Sequence, residues 1–312
     1  MKTPLVLNNE ELRHLNNLSK MSYDLKMPKT YLVGGIIRDS ILNHRDTNDL
    51  DITVNDGFKS IMLGLCYGSK NNLKMKYKYN KNLSIFLSDC KTLDFSSGSI
   101  SKKVDRKFNK LKAETLSRDF TVNSLLFNIH DENIIDITRK GISDCLDRKL
   151  NTILDPSITF DDDPKRIFRA IFYATKYNLE ISSDIYDYLI NNKSLISQTI
   201  KDNESFIINA VAKSLNNNED LTIEFLQEIN SLQNIPLVGK FKNILIKRKL
   251  LDFYLKNEER QENSIIDPIG GFDGSEYPKY FGENAPSSVP SDGTGTKDDN
   301  NINMYRQLPH FT

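Results

Sequence analysis

Residues 31–54 run YLVGGIIRDSILNHRDTNDLDITV, Tyr31 to Val54, and the order of residue types here decides the fold. Tyr31-Leu32-Val33 is apolar and β-prone, which predicts a strand. Gly34-Gly35 follows at once, and a backbone without side chains can come close to a ligand. Ile36 to Leu42 is apolar apart from the pair Arg38-Asp39 and predicts a short helix. A helix that starts at a glycine turn offers free N–H groups and positive dipole to an anion, with Arg38 one turn in. Then comes Asp49-Leu50-Asp51-Ile52-Thr53, read as a second strand. Residues two apart in a strand share a face, so Asp49 and Asp51 stand side by side while Leu50 and Ile52 point to the core. Two such carboxylates repel unless a cation lies between them. An all-oxygen site beside a phosphate cradle suits Mg²⁺.

Upstream, residues 8–25 have a helical stripe, Leu12, Leu15, Leu18 and Met21-Ser22, with Asn8 or Asn9 as the cap. The whole chain has 312 residues, with 42 Lys+Arg against 42 Asp+Glu. That length suits two modest domains plus tails. Net charge near zero means that any nucleic-acid contact must use a local patch. Cys66, Cys90 and Cys145 lie far apart, as free thiols do in a reducing compartment, and their spacing does not suit zinc. The sequence has no apolar run long enough for a membrane span and no clear signal or transit peptide at its start, so the expected location is cytoplasmic.

Downstream, Lys59–Leu65 predicts a short helix. The stretch KMKYKYNKNLSIFLSDCKTLDF predicts two or three strands, with a turn at Asn80-Lys81-Asn82 and the last strand at Thr92–Phe95. The basic side chains of this stretch fit either a solvated strand face or part of an RNA path. Residues 97–113, polar and basic, read as a mobile loop. Leu116 to Thr138, LSRDFTVNSLLFNIHDENIIDIT, predicts a helix over Val122–Ile129, a turn at His130–Asn133 and a strand over Ile134–Ile137. Asp119 is a reasonable helix cap. Gly141 suits a turn needing positive φ.

Phe160 to Ile181, FDDDPKRIFRAIFYATKYNLEI, predicts a helix with Pro164 in its first turn and Ile167, Ala170, Ile171 and Ala174 as its buried stripe. Asp162 and Asp163 lie four and three residues before Arg166, near enough to meet on one face. Ser183–Asn191, Glu204–Leu215, Leu221–Leu232 and Phe241–Leu255 read as further helices. Residues 263–312, rich in Gly, Pro, Ser, Asp and Asn, read as disordered.

Three of these stretches in this order resemble the signatures of the class II tRNA nucleotidyltransferase and poly(A) polymerase family, within the polymerase-β-like nucleotidyltransferases. GGIIRD followed by DLDITV resembles its first signature, SRDFTVNSLLFN its second, and DDPKRIFRAIFY its base-reading signature. The resemblance covers about Lys29 to Ser183. It implies an α+β fold: a nucleotidyltransferase head, a small mixed sheet with helices, followed by an all-helical neck and short body. The implied layout is an N-terminal helix at 1–27, the catalytic head at 28–140, a helical RNA-binding neck and body at 141–258, and a disordered tail at 259–312.

The resemblance also implies roles. Asp94 completes the carboxylate set of Asp49 and Asp51 around Mg²⁺. Gly34, Gly35 and Arg38 hold the triphosphate. Arg118, Asp119 and Asn123 handle the ribose and phosphates of the incoming nucleotide. Asp163 and Arg166 read the base, Asp162 steadies Arg166, and Arg169 also matches. A carboxylate accepting from an exocyclic amino group, beside a guanidinium donor, suits cytosine and adenine and repels a carbonyl there. The sequence departs from the pattern at Ser117 and Phe172, where the family has arginine, and at Ser205 and Asn209, where its next signature has arginine and glutamate. The implied activity is transfer of C and A from CTP and ATP to the 3′ end of tRNA or another RNA. Addition of A alone or of CC alone, and a catalytically weak RNA-binding relative, are the competing expectations.

Overall fold

The computed structural model describes residues 5–44, 49–78, 82–87, 91–96, 98, 100–105, 107–229, 231, 234–236 and 242–243. The segment Met1–Ile265 is one compact unit. The expected disordered tail, nearly all of the helix expected at Phe241–Leu255, Cys90 and most of the turn at Asn80–Asn82 lie outside the described residues.

The chain opens with α1 (Asn9–Asp24), capped by Asn8 in a reciprocal capping box with Glu11. Of the expected stripe, Leu15, Leu18, Met21 and Ser22 are buried, whereas Leu12 is exposed. β1 (Thr30–Val33), α2 (Gly35–Ile41) and β2 (Asp49–Val54) follow. α3 (Gly57–Lys70), capped by Asp56, runs on five residues past its expected end. Three strands come next: β3 (Met75–Lys78), β4 (Asn82–Phe86) and β5 (Thr92–Ser96).

α4 (Lys110–Leu116) overturns the expectation of a loop as far as residue 113. Asn109 caps it by accepting from the Lys112 amide at 2.9 Å, and Ala113 and Thr115 are buried beneath its lysines. The expected helix over Val122–Ile129 is also corrected. A single 3₁₀ turn at Thr121–Asn123 leads into β6 (Leu126–Asn128) and then β7 (Asn133–Ile135). A short apolar run does not distinguish buried strand from buried helix. Here the unpaired edge of β1 decides, because β6 pairs antiparallel with Tyr31–Val33.

The sheet order is β3-β4-β5-β2-β1-β6-β7, antiparallel throughout except for β2 beside β5. That parallel register sets up the site. Leu50 lies opposite Leu93 and Ile52 opposite Phe95, all buried on the face covered by α3. Strand alternation therefore puts Asp49 opposite Thr92, and Asp51 opposite Asp94, on the other face.

Beyond the sheet, α5 (Gly141–Leu146) replaces the turn expected at Gly141. Gly141 does not have positive φ. It is needed for space, since a Cβ there would stand 2.7 Å from the Thr121 carbonyl oxygen. β8 (Lys149–Leu150) is followed by α6 (Pro156–Asp162) and α7 (Arg166–Tyr177), with β9 (Glu180–Ile181) returning to pair with β8. The single start expected at Pro164 is thus two helices with a break. Asp163, as the residue before a proline, is extended at φ −147°, ψ 95°, and ends α6. Pro156 takes the first-turn position instead. The stripe Ile167, Ala170, Ile171 and Ala174 is fully buried as expected.

The remaining described helices are α8 (Ser183–Asn191), α9 (Lys193–Asp202), α10 (Glu204–Asn217) and α11 (Glu219–Glu228). α9 was not expected from the sequence. α10 packs along α7 through Ile207, Ala210 and Val211, whatever Ser205 and Asn209 replace. Among the described residues no helix is long and apolar enough to cross a membrane.

Candidate active site

A cavity of about 730 Å³ opens between the uncovered face of the sheet and the helices α2, α4, α6 and α7. Of the thirteen residues singled out from the sequence, twelve line it: Gly34, Gly35, Arg38, Asp49, Asp51, Arg118, Asp119, Asn123, Asp162, Asp163, Arg166 and Arg169. Asp94 does not line it, although it stands next to Asp51 in register.

The sheet wall carries the carboxylates. Asp49 is exposed and accepts a hydrogen bond from Thr92 Oγ1 at 2.9 Å, and Asp51 is half-buried. Gly34 has φ +87°, and a Cβ there would stand 2.7 Å from Asp51 Oδ2. Glycine is therefore required twice over, by backbone conformation and by the close approach of the carboxylate. Among the described residues, no three His, Cys, Asp or Glu side chains form a ready-made metal cluster. Mg²⁺ is ordinarily held by one or two carboxylates, with water and substrate phosphate supplying the rest. Asp49 and Asp51, with open backbone at Gly34, fit that need.

The opposite wall is an interlocked network. Arg38 is buried, and four of its five N–H groups are engaged within the protein: Nε and Nη2 on Asp39 Oδ1, Nη1 on Asn123 Oδ1, and Nη2 also on the Tyr177 hydroxyl. Its guanidinium lies 4.1 Å from the Tyr177 ring centre and 5.1 Å from that of Tyr173. Asn123 Nδ2 donates to Asp119 Oδ1, and Asp119 Oδ2 meets Arg169 Nη2 at 2.7 Å. Burial works against the charge on Arg169, and Asp119 with Tyr173 more than offsets it, so its pKa is raised. Asp119 is not a helix cap; its Oδ1 accepts instead from the Phe120 amide next to it. Burial pushes the Tyr177 hydroxyl up, so it stays protonated and able to donate.

The third side is the break between α6 and α7. Arg166 Nη1 donates to the Thr159 carbonyl and Nη2 to that of Ser117, and Nη2 lies 3.3 Å from Asp162 Oδ2. Asp162 Oδ1 in turn accepts from Ser101 Oγ at 2.6 Å. Asp163 Oδ1 accepts from the Lys165 amide. The expected meeting of Asp162 with Arg166 is present, but across a helix break and not along one helical face.

Sequence reasoning missed Ser96, Ser101, Glu114, Lys176 and Tyr177 in the lining. Arg169, Phe172, Tyr173, Lys176 and Tyr177 recur at helical spacing, and that second stripe on α7 was a legible signal. Glu114 lies just past the expected loop at 97–113, in a helix that the sequence reading did not place.

Residues 30–151 match the family model described as the poly A polymerase head domain. The chain is similar to tRNA nucleotidyltransferase cca2 of Schizosaccharomyces pombe, 26% identical over 265 residues, covering 75% of this chain and 54% of that protein. It is 30% identical over 176 residues to the mitochondrial CCA tRNA nucleotidyltransferase of Saccharomyces cerevisiae, covering 49% of this chain and 32% of that one. Residues 30–151 therefore carry the likeness to a poly A polymerase head domain. A solved tRNA-processing enzyme in its apo form superimposes with a TM-score of 0.63 at 20% identity, over 81% of this chain and 67% of that one. A Thermotoga maritima CCA-adding enzyme complexed with tRNA gives 0.56 at 21% identity, over 73% and 53%. These likenesses establish the fold. The chain spans about half the length of the fission-yeast relative.

The departures from the family pattern have local explanations. Ser117 Oγ donates to the Ala113 carbonyl and accepts from the Ser101 amide, tying the segment before α4 to the cavity rim. Phe172 lies beside Tyr173, with Lys176 Nζ 5.7 Å from the Phe172 ring centre, so a cation stands one turn past the arginine position.

Proposed function

We propose that the chain is an RNA nucleotidyltransferase that adds C and A from CTP and ATP to the 3′ end of tRNA. The observation that carries this reading is the convergence of twelve residues, chosen from three separated stretches, on one cavity. Asp49 and Asp51, with Asp94 beside them, would hold Mg²⁺, which supplies charge neutralisation and a lowered hydroxyl pKa when bound. The Gly34-Gly35 backbone lets the triphosphate approach the carboxylates. The RNA 3′-oxygen bonds to the α-phosphorus, and the bond from that phosphorus to pyrophosphate breaks in line.

On the other side, Arg118 and Arg169 face the nucleotide's phosphates and ribose, with Asp119 and Asn123 fixing their geometry. Arg38 acts at one remove. Its donors go to Asp39, Asn123 and Tyr177, so it holds α2 against α7 and does not clamp phosphate. Asp163 offers an acceptor to the amino group of C or A, and Arg166 the matching donor, held by Asp162. In this reading the sheet, the helices from α5 to α11, and the segments before and after them act as the head, the neck and body, the leading helix and the tail described above.

One experiment separates this activity from its neighbours. Purified protein is incubated with Mg²⁺, each nucleoside triphosphate separately, and tRNA trimmed to different 3′ ends. CCA addition predicts C onto the fully trimmed end and A only after two C. Addition of A to every end would favour a poly(A) activity, for which the 26% identity to the poly(A) polymerase I of Salmonella typhi speaks. No addition with any nucleotide would leave only an RNA-binding relative, in line with the lost arginines at Ser117 and Phe172.

A further inference from the structure

The carboxylate face of the sheet does not end at the cavity. Along β5 and β4 the register continues from Asp49 to Thr92 to Phe86, and from Asp51 to Asp94 to Ser84. Ser84 lies opposite Lys76 in β3, and the Phe86 amide donates to the Lys74 carbonyl at 2.9 Å. Residues opposite one another across a ladder share a face. Leu83 and Ile85 are buried against α3, so Ser84 and Phe86 point the other way, to the side of Asp49 and Asp51. Phe86 is 38% exposed, Lys74 and Lys76 are exposed, and Lys74 Nζ lies 5.9 Å from the Phe86 ring centre. At roughly 4.8 Å between strands, Phe86 is about 10 Å from Asp49 and Lys76 about 14 Å from Asp51.

We propose that this sheet edge, Phe86 with Lys74 and Lys76, is a binding surface for the single-stranded 3′ segment of the RNA substrate. Its position in the reaction rests on the transferase reading. Lysine on an edge strand also discourages pairing with another sheet, and that role accounts for the lysines. It does not account for an exposed phenylalanine beside one of them, on the face that carries the carboxylates. An aromatic ring flanked by cations is the arrangement that stacks an unpaired base and neutralises its phosphates. RNA whose 3′-hydroxyl stands at Asp49 and Asp51 would have its preceding nucleotides within reach of this edge. Tyr77, although 59% exposed in β3, lies opposite Leu83 on the α3 face and takes no part.

The test uses the full chain and a fluorescent hairpin RNA with a short single-stranded 3′ tail, read by anisotropy over a salt series. Phe86→Ala should weaken binding about tenfold, Phe86→Tyr should restore it, and Tyr77→Ala should leave it unchanged. Lys74→Ala with Lys76→Ala should lower the steepness of log K against log salt by about 1.4, the value for two single-strand phosphate contacts. CTP binding should stay the same in all variants, and a blunt hairpin should bind more weakly than the tailed one. Unchanged RNA affinity and salt slope in the Phe86 and lysine variants would overturn the proposal, as would failure of the wild type to bind the tailed RNA. Weakened binding in those variants, with no nucleotide addition by the wild type, would uphold this surface and overturn the transferase reading instead.

Discussion

Asp49 and Asp51, on the sheet wall of the cavity, are exposed and half-buried, whereas Arg38, Asp39 and Asp119, across from them, are 4%, 3% and 4% exposed. Both walls are charged, but the charges serve different ends. On the sheet wall, two carboxylates two residues apart on one strand line the cavity together, an arrangement that favours a cation between them. On the helical wall, opposite charges are matched in a chain, Asp39 to Arg38, on through Asn123 to Asp119 and Arg169. Such a chain is satisfied without a ligand and holds α2, the 3₁₀ turn and α7 in one geometry. In the proposed reading the first wall serves the reaction and the second holds the geometry. Substitution should therefore separate them, with activity lost without stability on one side and both lost together on the other.

The largest effect on activity is expected at the sheet wall. Asp51→Asn or Asp49→Asn should reduce nucleotide addition at least about a thousandfold, since several kcal/mol of charge stabilisation goes with the metal. Thermal unfolding should be unchanged or slightly raised, because repulsion is relieved. Retained activity in Mg²⁺ would remove the metal assignment from this pair. At the helical wall, Arg38→Ala leaves Asp39 buried without its cation and should cost about 3–5 kcal/mol of stability, read by denaturant unfolding. Arg38→Lys should not restore it, because an ammonium cannot match the planar fork or lie over Tyr177 in the same way.

Gly34→Ala falls between the two. The positive φ and the approach of Asp51 Oδ2 to 2.7 Å of a new Cβ should together cost about 1–3 kcal/mol. Activity should fall further than stability, since the displaced group is the carboxylate itself. The smallest stability effect is expected at Asp163, whose hydrogen bond is to the Lys165 amide. Asp163→Ala should relax discrimination against UTP, because it removes both the acceptor for an amino group and the charge that repels a carbonyl. Arg166→Ala should lower use of CTP and ATP alike, by roughly tenfold to a hundredfold for one charge-assisted hydrogen bond. Equal losses with all four nucleotides would leave Asp163 and Arg166 a structural role only.

The sheet wall was legible in the sequence because its signal is local. A strand of alternating Asp and apolar residues fixes its own faces, and a glycine pair marks its own turn. The helical wall was legible only in part. Arg38 reads as a phosphate ligand when seen alone, and its actual partners Asn123 and Tyr177 lie 85 and 139 residues away. β6 was read as helix for the same reason, since its strand character comes from β1 and not from Leu126-Phe127-Asn128 itself. The break at Asp163-Pro164 was within reach of the sequence: a residue before proline avoids the helical region, and a proline eight residues earlier was available to start α6.

The most direct test of the two-wall account is a crystal structure of the protein with Mg²⁺ and a non-hydrolysable CTP analogue. The expected complex has the triphosphate at Gly34-Gly35 with the metal on Asp49 and Asp51, the base against Asp163 and Arg166, and Arg38 still bonded to Asp39 and Asn123. Nucleotide bound elsewhere, or Arg38 swung out of its network to grip the triphosphate, would contradict it.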